Sequence, residues 1–307
     1  MGAKNRADLK ALWVTGYTPS QSNFSDLFDS FLNLISDNWN QAAARSMCHS
    51  GTETSMDNIG SNYPWIEVEM FFSNPKMTTI NINSNPYIKA IEFNVYLPAV
   101  TTLQLQNNIL LQSFIFSGII SSAALNISGC PQLQIIRSQV SGINALNCAN
   151  DVLLEEITLI SSSFQALDAT TQLQNCSNIK IINLNNNTIL DTCYIPLDTL
   201  TDIDLSNCTA LPIFNITGCY LLKNITLRNC TSLNNIDFSV LSSCTNIDAF
   251  NCGLSETTVN TILIALDING LSSGFVDLSS GTSIAPTGAG ITAAANLITK
   301  SWTVNTN

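Results

Sequence analysis

From residue 203 onward, apolar residues recur in one phrase: Ile203-x-Leu205-x-x-Cys208-x-x-Leu211, Phe214-x-Ile216-x-x-Cys219-x-x-Leu222 and Ile225-x-Leu227-x-x-Cys230-x-x-Leu233, with Ile236-x-Phe238 opening a fourth copy. Four columns keep register at a spacing of 11 residues. Looser copies precede them: Leu125-x-Ile127-x-x-Cys130-x-x-Leu133-x-Ile135, Cys176-x-x-Ile179-x-Ile181, and Ile182-x-Leu184 followed by Asn186-Asn187. The couplets Ile80-x-Ile82, Leu103-x-Leu105 and Leu146-x-Cys148 carry the pattern further back.

Each couplet puts two apolar side chains on one face of a short strand, and the Asn and Gly that follow suit a turn. One such arm cannot enclose a core, so two pair into a coil of about 22 residues. This predicts a β-rich solenoid with a parallel sheet. Eight coils over residues 80–255, stacked about 4.8 Å apart, give a rod on the order of 40 Å long. Leu205, Cys208, Leu211, Ile216, Cys219, Leu222, Leu227, Cys230 and Leu233 form the expected repeat core, with Cys208 above or below Cys230 and Cys219 on the opposite side. The outward strand positions Asp202, Asp204, Asn215, Thr226 and Asp237 form the candidate binding face.

The two ends break the pattern. Phe24, Leu27, Phe28, Phe31, Leu32 and Ile35 fall at helical spacing, with Ser20 or Ser22 as N-cap and Trp13 upstream. That stripe is too wide for a lone surface helix, so it must be covered by its own domain, by another copy of the chain or by a partner, with a helix of residues 1–45 capping the solenoid as the alternative. Residues 46–62 read as a linker, Tyr63–Phe72 as the first strand, and 63–255 as the solenoid. Residues 256–307 read as an α/β C-terminal cap with helices over 257–268 and 291–300 and strands at 274–278 and 302–304.

Only 11% of residues are charged, against about 25% in an average soluble domain, and asparagine alone supplies 37 of 307 residues. The net charge of −11 repels phosphate backbones and anionic membranes, so no nucleic-acid or membrane partner is expected. No run of about 20 apolar residues could cross a bilayer. The opening Met-Gly-Ala-Lys-Asn-Arg has neither an apolar stretch nor a cleavage site, so the expectation is a protein made in a cytosol.

Catalytic chemistry finds little material. The 10 cysteines occupy repeat positions with no Cys-x-x-Cys pair, and His49 is the only histidine, which argues for buried free thiols over a metal site. Cys48-His49 are sequence neighbours in the linker and would not orient one another. Glu155 and Glu156 should diverge on a strand. Gly288-x-Gly290 lacks the rest of a nucleotide fingerprint and reads as a turn. No enzyme activity and no cofactor are therefore expected. The Asn-x-Thr sequons at Asn207, Asn215, Asn224 and Asn229 fall on repeat turn columns and read as side chains bonding turn backbone along a ladder.

The phrase Leu205-Ser-Asn-Cys-Thr-Ala-Leu211, in a coil length inside the leucine-rich-repeat range, resembles the asparagine-rich, cysteine-containing leucine-rich repeats of surface proteins of Bacteroidetes bacteria and their phages. Residues 9–33, through the skeleton Gly16-x-x-Pro19-x-x-x-x-Phe24-x-x-Leu27-x-Asp29-Ser30-Phe31, resemble the N-terminal segment of tailed-phage virion fibre and appendage proteins. The stretch from Gly274 to Val304 is similar to the C-terminal module of such proteins. The resemblance implies a curved solenoid that binds rather than catalyses. It implies a virion location, contact with other virion proteins through residues 1–45, a homotrimer, and a host surface glycan or protein as candidate receptor. The irregular spacing over residues 136–200 and the 14-residue step from Cys230 to Cys244 depart from that pattern. The alternative is a bacterial leucine-rich-repeat surface adhesin.

Overall fold

The computed structural model describes residues 55–56, 67–70 and 76–307, apart from 94–95, 121, 140–141, 161–162 and 238–241. The expected helix with Phe24, Leu27, Phe28, Phe31 and Leu32, and Trp13 upstream of it, lie outside the described residues.

The chain winds as a parallel β-solenoid. Eleven short strands, from Glu67–Met70 through Asp202–Asp204 and Asn224–Thr226 to Thr303–Asn305, form one parallel main sheet. From Ala90 to Asn246 its register runs Ala90, Ser113, Ile135, Glu156, Ile181, Asp202, Asn224 and Asn246, seven turns of about 22 residues. The return side of the coils carries five strands from Ser55–Met56 to Ile143–Asn147, then four from Ala166–Asp168 to Asn235–Asp237. Ser55–Met56 pairs with Thr79–Ile80, so the stretch read as a linker contributes a strand.

The core lies between the two sides and is built from columns. The second residue of each main-sheet strand from Ala90–Phe93 to Phe275–Asp277 points in, giving Ile91, Phe114, Ile136, Ile157, Ile182, Ile203, Ile225, Ile247 and Val276, all buried. Across from them stand Ile80, Leu103, Leu125, Leu146, Leu167, Cys193, Phe214 and Ile236, also buried. Each large side chain taken from water stabilises by about 1.5–3 kcal/mol. Every proposed repeat-core residue, from Leu205 to Leu233, is at most 1% exposed, and Cys219 sits at the corner opposite Cys208 and Cys230, as the half-coil period requires.

The corners follow a second column that the apolar pattern does not display. Ser84, Asn107, Gly129, Asn150 and Asn175 have positive φ at the corner leading into the main sheet. Eleven residues after Asn175 the column reappears at the other corner, as Asn186, Asn207, Asn229 and Asn251, leaving the main sheet. Asparagine tolerates this left-handed backbone better than branched residues. The irregular stretch over residues 163–180, with a single helical turn α1 at Ala169–Gln172, is where the repeat phrase changes sides by half a coil.

The C-terminal segment is α/β as expected, and its strands Phe275–Asp277 and Thr303–Asn305 continue the main sheet. Helices α2 (Glu256–Asn269) and α3 (Gly288–Thr299) take the place of return strands there, which lengthens the last two steps. Ser255 caps α2 by accepting from the Thr258 amide, and Gly270, at φ 69°, ends it. Lys300 joins the helices through Asp267 at 2.5 Å.

Candidate functional site

The two sides of the rod present different chemistry. Outward rows of the main sheet carry Glu92, Arg137, Glu156, Asp202, Asp204 and Asp248, whereas the return strands between residues 79 and 147 turn out Thr79, Thr102, Asn81, Gln104, Asn126 and Asn147. Arg137 forks onto Glu156 with two bonds of 2.6 Å and holds that carboxyl below its usual range. Arg228 bonds Asp248 and lies 4.6 Å from the Phe250 ring centre. Among the described residues Asp202 and Asp204 have no cationic partner.

The proposed binding-face residues do not form one surface. Asp202, Asp204 and Thr226 lie on the main sheet, with Asp204 beside Thr226, while Asn215 and Asp237 are on the return side. Asp202 accepts from Asn224 Nδ2 at 2.5 Å and from the Thr201 hydroxyl at 2.6 Å. Asp204 Oδ1 accepts from the amide and hydroxyl of Ser206, Asp248 from the Phe250 amide, Asp277 from the amide and hydroxyl of Ser279, and Asn215 from the Thr217 amide. The last strand residue thus closes the turn two residues on, in the manner of an Asx-turn. Periodicity assigned Asp202 and Asp204 outward and was silent about the bonds they make. On the main sheet, Asp202, Asp204 and Asp248 form a pre-organised polar surface rather than a set of free ligands.

The sequon asparagines divide. Asn207 and Asn229 belong to an amide ladder in which Asn207 donates to Asn186, Asn229 to Asn207 and Asn251 to Asn229, each at 2.9 Å. Asn215 bonds turn backbone, and Asn224 bonds Asp202.

Sequence reading missed an apolar corner. Tyr87, Ile109, Leu110 and Val152 are exposed in the first half, and Tyr220 and Leu221 in the second. Each follows a positive-φ residue, Ser84, Asn107, Asn150 or Gly218, by two or three places. Aligning the left-handed positions would have revealed these residues, since a single exposed apolar residue is unremarkable and a repeated one is not.

The chain matches no family model and no curated protein. Among solved structures it is similar to the leucine-rich repeat domain of the type III effector XCV3220 (XopL), with a TM-score of 0.45 and 14% identity over 80% of this chain and 82% of that one. No group of three or more His, Cys, Asp or Glu converges on a metal position among the described residues. No described helix is long and apolar enough to cross a membrane.

Proposed function

We propose that this protein is a non-enzymatic interaction scaffold whose rigid solenoid presents the main-sheet face and the apolar corner to partners. The observation that carries this is the unbroken parallel sheet from Glu67 to Asn305, with its core columns filled and its outward carboxylates fixed by neighbouring donors. Such a surface has its side-chain ordering cost met on folding. It offers fixed polar positions for recognition.

The resemblance of residues 9–33 to virion fibre and appendage proteins, and of residues 205–211 to phage and Bacteroidetes repeats, supports a more specific reading. The chain is a fibre or appendage subunit of a tailed-phage virion, attached through residues 1–45, with the solenoid turned to a host surface glycan or protein. Antibody raised against the purified chain, gold-labelled and applied to phage particles banded from cultures carrying the gene, is expected to decorate a discrete part of the particle. Bare particles with label on the bacterial surface would reject the virion reading in favour of a surface adhesin.

A further inference from the structure

One buried position repeats along the solenoid, directly after each left-handed corner residue, and its side chain donates across to the preceding coil. Asn108 Nδ2 bonds the Ile82 carbonyl at 2.7 Å. Cys130 bonds the Leu105 carbonyl, Cys176 that of Cys148, Cys208 that of Leu184, Cys230 that of Leu205, and Cys252 that of Leu227. In each case the acceptor lies three residues before the preceding member of the column. Asp151 stands in this column between Cys130 and Cys176, fully buried. Its Oδ1 accepts from the Cys130 amide at 2.7 Å, just as Asn108 Oδ1 accepts from the Asn85 amide at 2.8 Å. Its Oδ2 occupies the donor's end and has no hydrogen-bond partner. The column's register assigns that end to the Ile127 carbonyl. Two acceptors would oppose each other there, whereas a carboxylic acid O–H would complete the column.

We propose that Asp151 enters the fold as a neutral carboxylic acid donating to the Ile127 carbonyl, so that raising the pH loosens the coil it closes. Burial, outweighing the opposing bonds from the Cys130 and Gly129 amides, pushes its carboxyl up to about 8. The titratable groups around it are Cys130, Cys148 and Cys176, all pushed up by burial first and by Asp151 among the other causes, with Cys130 and Cys176 at about 12. They stay neutral thiols throughout this range, and among the described residues no cation pairs with Asp151.

The sign follows from linkage. Below the ordinary carboxylate range, both the closed and the open coil hold the proton. From about pH 4 to about pH 8 the open coil has released it and the closed coil has not, so the closed form loses about tenfold in its equilibrium per pH unit. Above about 8 both are ionised and the slope vanishes.

Hydrogen exchange of the full chain and of Asp151→Asn from pH 5 to 9, corrected for intrinsic exchange, tests this. In the wild type, opening of residues 125–151 is expected to rise about tenfold per pH unit up to about pH 8 and then level off, and in Asp151→Asn it should be flat. Superimposed profiles would overturn the proposal. Should the variant fail to fold, a wild-type profile without slope between pH 5 and 8 would overturn it equally.

Discussion

Replacing Asn187 by alanine is expected to destabilise the second half of the solenoid by about 3 kcal/mol or more. Asn187 is fully buried and serves three backbone groups at once: it accepts from the Phe164 amide and donates to the carbonyls of Leu159 and Leu184, the latter two at 2.7 Å. Alanine leaves all three without that partner, away from water, at roughly 1–3 kcal/mol each before relaxation. Asn187→Cys should fall between alanine and wild type, because Cys208, Cys230 and Cys252 fill the same column with one donor. Asn186→Gly, on the exposed ladder beside it, should cost far less, since glycine accepts the left-handed backbone. Urea unfolding followed by circular dichroism ranks the three, and an Asn187→Ala midpoint equal to that of Asn186→Gly would contradict the role given to the column.

The second large effect is expected at Phe93, which packs edge-on against Phe114 and Phe116 with ring centres 5.7 and 6.1 Å apart. All three rings are fully buried, and the main-sheet register stacks Phe93 beneath Phe116. Phe93→Ala removes the ring shared by both pairs and leaves a cavity between stacked coils, at a cost of about 3–5 kcal/mol. Because neighbouring coils support one another in a repeat protein, the loss should appear in hydrogen exchange as early opening of residues 90–116. Uniform opening along the whole chain would show that the coils do not behave as nearest-neighbour units.

Much of the fold could be read from residues. The φ-x-φ couplets of residues 203–236 give strand direction, inward columns and coil length together, because a strand's period of two and a half-coil of 11 leave no other register that buries Leu205, Cys208 and Leu211 at once. The switch of the asparagine column between Asn175 and Asn186 was hidden by the irregular stretch before it, where α1 displaces the phrase. The tail's helices, over 257–268 and 291–300, announced themselves by their pattern. Their strands' membership of the main sheet did not, since pairing partners lie about 28 residues apart. The site was less accessible: alternation shows that Asp202 and Asp204 turn outward, but whether a carboxylate is free or already holds Ser206 is decided by the turn that follows it.

The most direct test of the scaffold account is the mass in solution of the full chain against residues 47–307, a boundary that keeps Ser55–Met56 paired with Thr79–Ile80. Light scattering at matched concentration is expected to give three copies for the full chain and one for the truncation. Monomers of both would contradict assembly through residues 1–45 and with it the fibre or appendage reading.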